Sequence, residues 1–482
     1  MKAIKKNVIM GLMLGVTFSL GACKKFLDIN TNPLTATKVE PKLLFGYAVT
    51  AWDVNKNSGD SWMNLGFIGQ TIANGGDFSD NWGAFNIYDL SQTSMSNNFR
   101  MAYSTAGNNL KQAIKIAESS DPADNNAAAQ CKILLAQIIF ETTMNFGDIP
   151  YSEAFEPEKY PNPKYDSQKD ILESLLASLE EAKGQFDPNS PLKIADYDIF
   201  YAGDLNKWIK YANSLKLKIL MTMIDREPSK AAEIAALVQD PSQLVNSANE
   251  NVRVPYTTTP NNENPKYRLF LEDNPFTYAN KVMTDIMVPK NDPRLPKYFD
   301  LPAGETQYIG VESNVDADEH TALLGKYLIR KDAPSLIVSY QEMLFLQAEV
   351  YARGIGVAVD ISKANDLYKA AIIEAMRFYE VPQSQINNYV DNDLVDLRTV
   401  VDPVREIHLE QWIDLMDRPV EAFIQWRRSG PDGSEVPTLA VPFGATSGPL
   451  LRRYILPSTE LNSNSSAPSP APQYYEKVWF DL

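Results

Sequence analysis

Along most of the chain apolar residues return every third or fourth position, the spacing that places them on one face of a helix. Residues 43–54 predict a first helix of this kind. Ala106, Leu110, Ala113, Ile114 and Ala117 form a stripe that stops before Pro122, whose ring removes a helical hydrogen bond. Residues 128–146 are apolar nearly all round, which predicts a central helix buried on every side and ended at Gly147. Ser167 and Asp170 predict a capped start for the next helix, with Ile171, Leu172, Leu175, Leu176, Leu179 and Ala182 as its stripe. Trp208, Tyr211, Ala212, Leu215 and Ile219 mark another. The clearest pair comes later. A helix expected to begin at Ser335 carries Leu336, Tyr340, Leu344, Ala348 and Tyr351 and is halted by Gly354 and Gly356. A second, expected to be capped by Ser362, carries Ala364, Leu367, Tyr368, Ala371, Ala375 and Phe378. Two amphipathic helices of about 18 residues with small Ala at the crossing make one tetratricopeptide-type unit. Neither helix can bury its stripe alone, so successive pairs must stack. The expected fold is mainly α: tetratricopeptide-like helix pairs in a right-handed superhelix, interrupted by long irregular loop insertions.

Two stretches break the period. In residues 55–89, Trp62, Phe67, Phe78, Trp82, Phe85 and Tyr88 are scattered among Gly59, Gly66, Gly69, Gly75, Gly76 and Gly83 at neither helical nor strand spacing. Much of this stretch is expected to be loop. In residues 251–332, prolines recur from Pro255 to Pro302 and forbid long helices, leaving 278–287 as the only expected short one. Long insertions of this kind often carry function. Residues 408–428 predict a last helical region, broken at Pro419. A Ser/Asn/Pro-rich stretch, 462–472, then leads to the apolar Val478-Trp479-Phe480, which is expected to dock on the body.

The start of the chain is organised differently. Lys2, Lys5 and Lys6 precede an uncharged apolar run, residues 8–20, the layout of a secretory signal. Thirteen helical residues at about 1.5 Å each reach roughly 20 Å, short of a bilayer core of about 30 Å. The run ends in Leu20-Gly21-Ala22-Cys23, which resembles the lipobox of bacterial lipoproteins, where the Cys thiol is lipidated and becomes the mature N-terminus. Several acyl chains at about 0.8 kcal/mol per buried CH₂ hold a protein at a membrane without a spanning helix. The expected organisation is a signal peptide over 1–22, a linker over 23–41 and one helical body over 42–482, with insertions at about 55–89 and 251–332.

Charge and rare residues narrow the chemistry. Loss of 1–22 removes three Lys and takes the formal charge from −16 to −19. So acidic a chain argues against nucleic acid or anionic lipid as its main partner. With Cys23 lipidated, Cys131 has no partner and reads as a buried, inert thiol. The two histidines, His320 and His408, lie far apart in sequence, against a His-based triad or a multi-His metal site. Asp316, Asp318, Glu319 and His320 lack the spacing and Gly of an EF-hand and read as a solvated acidic loop. Arg427 and Arg428 follow Trp426 at a helix end, where they are expected to complement the helix dipole and pair with internal carboxylates. His408, near Glu406 and Glu410, reads as a structural or surface helix residue. No catalytic set, cofactor motif or metal site stands out.

Several segments together resemble the SusD/RagB family of nutrient-binding lipoproteins. They are the lipobox followed by Phe26-Leu27-Asp28-Ile29-Asn30-Thr31-Asn32-Pro33, then Asn145-Phe146-Gly147-Asp148-Ile149-Pro150-Tyr151 and Asn291-Asp292-Pro293-Arg294-Leu295-Pro296. Glu421-Ala422-Phe423-Ile424-Gln425-Trp426-Arg427-Arg428-Ser429-Gly430 and Arg452-Arg453-Tyr454 through Glu460, with Asn462 and Asn464, complete the series in the family's order. The short Glu-Ala-Phe form is similar to the branch of smaller SusD-like proteins. Surface-exported members often carry acidic residues after the Cys, whereas this chain has Lys24 and Lys25. The resemblance implies an outer-membrane lipoprotein facing the cell exterior, a lid over a SusC-like TonB-dependent transporter. It would capture an oligosaccharide or polysaccharide fragment, or in some relatives a peptide, with no chemistry of its own.

A noncatalytic sugar site needs flat aromatic rings beside hydrogen-bonding groups. Asp77, Phe78, Asp80, Asn81, Trp82, Phe85, Asn86 and Tyr88 supply both kinds on a Gly-rich stretch, and Trp62 is a further candidate. The competing reading is that these aromatics plug the loop onto the body. Tyr267, Arg268, Phe270 and Tyr308 offer a second wall, or serve as turn and packing residues. Two other functions stay open on sequence grounds: a lipid-anchored glycoside hydrolase using two carboxylates, and a scaffold that binds only protein.

Overall fold

Most of the apolar stripes become helices in the computed structural model, which describes residues 39–75, 88, 95–270, 277–431, 433–445 and 449–482. Contacts divide the chain into two units, Met1–Glu40 and Pro41–Leu482, and every element below belongs to the second. Helix α1 spans Pro41–Asn57 and α2 Asp60–Ile68. A short helix, Ser96–Arg100, and a π-helical stretch, Met101–Gly107, lead into α3, Asn108–Ser119. Then come α4 (Asn125–Phe146), α5 (Gln168–Gln185), α6 (Leu205–Met223) and α7 (Ala231–Gln239). Consecutive helices pack: α1 on α3, α3 on α4, α4 on α5, α5 on α6 and α6 on α7. Every residue of α4 except Asn125 and Lys132 is buried, as a stripe closed all round requires. The Asp124 side chain accepts from the Ala127 N–H at its start. At its end Gly147 has φ +77° and lies against Arg453 and Val478, a conformation and a closeness that favour glycine. Ser167 caps α5 by accepting from the Asp170 N–H. Cys131 is buried in α4, and burial pushes its thiol pKa up.

The second half holds α8 (Pro265–Phe270), α9 (Lys281–Met287), α10 (Tyr340–Arg353), α11 (Ile361–Phe378), α12 (Gln383–Asn392), α13 (Pro403–Asp414) and α14 (Pro419–Arg427). The α10–α11 pair is the tetratricopeptide-like unit read from the sequence, and α10 also packs on α13. Its boundaries differ from those expected. Ser335–Val338 is a strand, paired antiparallel with Val252–Val254. The helix starts only at Tyr340, with Ser339 accepting from the Glu342 N–H. All four residues of that strand are buried, and a short apolar run buried on both sides fits strand or helix equally well by period. Helix α11 is capped by Asp360, not Ser362. Pro403 and Pro419 sit in the first turns of α13 and α14, where a missing N–H costs nothing.

Both irregular stretches hold more structure than expected. Helix α2 lies inside 55–89, and residues 61–68 are all buried. A helix sunk on every side shows no stripe, so its aromatics look unorganised in sequence. In 251–332 the expected helix is split: Tyr278–Ala279 is a strand and α9 follows it, capped by Asn280. Helix α8 and a turn of helix at Leu295–Tyr298 were not anticipated. A small antiparallel sheet joins the two stretches. Its strands are β1 (Ile72–Ala73), β2 (Tyr278–Ala279), β3 (Phe299–Asp300) and β4 (Leu323–Leu324), in the order β1-β2-β4-β3. At the C-terminus Val478 and Phe480 are buried. Arg226 donates to the Trp479 and Asp481 carbonyls at 2.8 and 3.0 Å.

The body is held in register by buried charges. Lys56 of α1 meets Glu141 of α4 and Glu421 of α14 (the latter at 2.5 Å). Desolvation works against the Lys56 charge, and the two carboxylates overcome it, holding its pKa above the usual range. Arg294 bridges Asp292 and Glu410, both at 2.6 Å. Arg428 reaches Glu349 of α10 at 2.7 Å, and His408, also buried, lies 3.1 Å from the same carboxylate. Arg427 departs from the expectation of a carboxylate partner. Its guanidinium donates to the carbonyls of Phe423, Met144 and Arg452 and lies 3.8 Å from the Phe423 ring and 5.1 Å from that of Phe480. Met144 is in the last turn of α4, so Arg427 complements the C-terminus of a helix other than its own.

Desolvation pushes the Glu349 carboxyl up, but Arg428, His408 and Arg353 together hold it well below the ordinary value of 4.5. A depressed carboxyl contributes stability that is fully present above its unfolded-state pKa and is lost as pH falls toward the folded-state value. Glu349→Gln is expected to cost about 3–5 kcal/mol at pH 7. Urea unfolding at pH 4 should show a smaller gap between the two proteins; an unchanged or wider gap would contradict this network.

Candidate ligand-binding site

The chain up to Gly75, just before the Gly-rich aromatic stretch, is fixed in place. Strand β1 pairs with β2 through Ile72↔Ala279 and Ala73↔Tyr278. Gly75, where the chain leaves the sheet, has φ +67°, and a Cβ there would fall 2.5 Å from the Tyr278 ring and 2.9 Å from Ala317. Only glycine fits that turn. Its carbonyl accepts from the Ala317 N–H at 2.8 Å. Asn280 donates to Ser313 Oγ at 3.1 Å, and the Lys281 N–H reaches the Val311 carbonyl at 2.9 Å, which ties the 309–321 loop to β2. Gln70 grips a distant segment, accepting from the Ala440 N–H at 3.2 Å and donating to its carbonyl. Four pieces of chain, 69–75, 278–280, 309–321 and 439–445, thus form one rim.

The sequence candidates do not all gather there. Asp77, Phe78, Asp80, Asn81, Trp82, Phe85 and Asn86 lie outside the described residues. Trp62 is 1% exposed. Its indole N–H donates to Asp417 at 3.1 Å, its ring meets Phe270 edge-on at 6.1 Å, and Lys266 lies 5.3 Å above it. Lys266 is itself paired with Asp417 at 2.5 Å. No face of Trp62 is open to a ligand, because the α2–α8 contact consumes it. Tyr88 is likewise buried, 5.8 Å from the Tyr474 ring, and burial pushes its pKa up. These two corrections favour the packing reading for the ends of the aromatic stretch.

Tyr267 is half-buried with Lys331 4.9 Å from its ring, and Arg268 is exposed on α8. Phe270 of the same helix is in the core. Tyr308 is half-buried on the 309–321 side of the rim. His320 lies 2.7 Å from Glu305, and that hydrogen bond raises its pKa. Among the described residues no group of His, Cys, Asp and Glu is arranged to hold a metal ion. Sequence reasoning missed the clamps Gln70, Asn280 and Asn314, the last donating to the Phe443 carbonyl at 2.9 Å, and the turn in which the Ala445 N–H donates to the Pro442 carbonyl at 3.1 Å. The triplet Pro442-Phe443-Gly444 is a turn signal that was there to be read.

Among the concavities elsewhere on the body, two are less suited to sugar. A crevice among Lys218, Glu342, Gln411 and Glu421 has about 30 Å³, room for water among buried polar groups. An open groove of about 830 Å³ lies between α3 and the 154–159 segment, lined by Lys111, Lys115, Glu118, Phe155 and Glu158. Its one aromatic, Phe155, is already stacked on Tyr103 at 5.7 Å.

Stacked helix pairs with a small four-stranded sheet make up a mainly helical fold. Residues 41–455 match a SusD-like family model described as starch-binding and associating with the outer membrane, and the chain belongs to that family. It is a family of binding proteins. Solved structures agree on the fold. A chitin-binding protein is 24% identical over 92% of this chain and 100% of its own, with a TM-score of 0.78. A SusD/RagB family protein from Bacteroides thetaiotaomicron is 19% identical over 92% and 99%, also at 0.78. A SusD homolog from Bacteroides fragilis is 22% identical over 92% and 99%, at 0.75. No curated protein matches the sequence. Among the described residues no helix is long and apolar enough to cross a membrane.

Trp62→Ala is expected to cost about 3–5 kcal/mol of stability, as for other buried Trp residues. Urea unfolding checks this; a loss below about 1 kcal/mol would show that the ring is not part of the core.

Proposed function

We propose that the protein is a cell-surface lipoprotein, anchored through Cys23, that captures an oligosaccharide and delivers it to a SusC-like TonB-dependent transporter. The observation that carries this reading is the family match over residues 41–455. Trp82, Phe85 and Phe78 would stack on the apolar faces of sugar rings, and Asp77, Asp80 and Asn81 would bond their hydroxyls. The loop that bears them starts at Gly75, whose position the sheet and Ala317 fix. A fixed base limits the conformations lost on binding. No bond is made or broken; the protein holds the ligand and passes it on. The lipid on Cys23 would keep the body at the outer membrane, near the transporter.

Calorimetry with starch- and chitin-derived oligosaccharides tests this. Wild type is expected to bind at least one of them, and Trp82→Ala to bind it about tenfold more weakly, a change of roughly 1.4 kcal/mol. Absence of binding across the panel, or steady release of reducing ends, would overturn the reading.

A further inference from the structure

We infer that the crevice where α6, α10, α13 and α14 meet is a site for about two ordered water molecules, which complete the polar junction of these helices. Five hydrogen-bonding side chains line it: Lys218 of α6, Glu342 of α10, Gln411 of α13, and Glu421 and Gln425 of α14. All five are more than nine-tenths buried. Glu342 Oε2, Gln411 Oε1, Glu421 Oε2 and Gln425 Nε2 have no hydrogen-bond partner among the described residues. Lys218 Nζ lies 2.8 Å from Glu342 but makes no hydrogen bond there. Phe140, Leu346, Leu415 and Ile424 form the apolar part of the wall and offer no side-chain partner.

A buried polar atom left unbonded costs its full desolvation penalty. In folded proteins such atoms are paired, with water where the protein does not reach them. Water matches this set. It accepts twice and donates twice. One molecule accepts from Lys218 and Gln425 and donates to two of the three acceptors, Glu342, Glu421 and Gln411. A second serves the acceptor left over. The space agrees, because the crevice has about 30 Å³ and one water needs roughly 10–15 Å³ of it.

Size and charge disfavour other occupants. Pockets for small organic ligands run to about 300–1,000 Å³, far above this one. The charged residues of the wall are Lys218 and Arg428 against Glu342 and Glu421, equal in number. Arg428 is already engaged by Glu349 at 2.7 Å. No net charge therefore calls for an ion. The water also bears on the buried charges that hold the helices in register. Lys56 donates to Glu421 Oε1, which leaves Oε2 for the crevice. A buried ion pair is tolerable only when its remaining lone pairs are hydrogen-bonded, and here water supplies that bond.

High-resolution crystallography of the wild type tests this directly. Two ordered waters within hydrogen-bond distance of these five side chains are expected. An empty crevice, side chains that close it by bonding one another, or a rubidium or bromide ion that occupies it on soaking would overturn the inference. Thermal melting of Gln425→Met gives a readout that needs no crystal. With water in place the variant loses a hydrogen bond, and its melting temperature is expected to fall by about 2 °C. Without water the change removes an unpaired amide, so an unchanged or higher melting temperature would contradict the inference.

Discussion

The structure depends on charged side chains buried where helices distant in sequence meet. Lys56 joins α1 to α4 and α14, Arg294 joins its own loop to α13, and Arg428 joins α14 to α10. Such pairs add little stability over apolar packing of equal volume, but any arrangement that separates them strands a charge in the interior. Apolar stripes can slide past one another at modest cost; these pairs cannot. They fix which helices are neighbours, although the chain has no disulfide among its described residues.

The same charges reach outward to the rim. Lys266 and Trp62 share Asp417, so the turn between α13 and α14 holds both α8 and α2. Helix α2 runs directly into Gln70, β1 and Gly75. The rim therefore starts from a helix pinned in the core. Arg427 serves the other end of this frame: with the Phe423 and Phe480 rings on it and the Met144 carbonyl beneath, it fastens the C-terminal segment to α4 and α14. The Glu-Ala-Phe…Trp-Arg-Arg run that marks the family is thus a packing device.

Much of the helical body was legible because its signals are local. The all-round apolar run of α4, the Ser167 cap and Gly147 each specify their structure within a few residues. Where the outcome depends on distant chain, the sequence was ambiguous. Ser335, Leu336 and Val338 fit a helix until Val254, Arg253 and Val252 pair with them. Trp62 looks like a sugar platform until Phe270, Lys266 and Asp417 surround it. The site was legible as a mixture of residue types, not as a surface. Gln70 and Ala440 stand far apart along the chain, and the fold joins them through two hydrogen bonds.

Amide hydrogen exchange with and without a saturating neutral oligosaccharide tests the central claim most directly. Slower exchange confined to 69–75, 278–280, 309–319 and 439–445, with the α4 amides unchanged, is the result this account predicts. Protection centred on the groove between α3 and residues 154–159, with the rim unaltered, would contradict it.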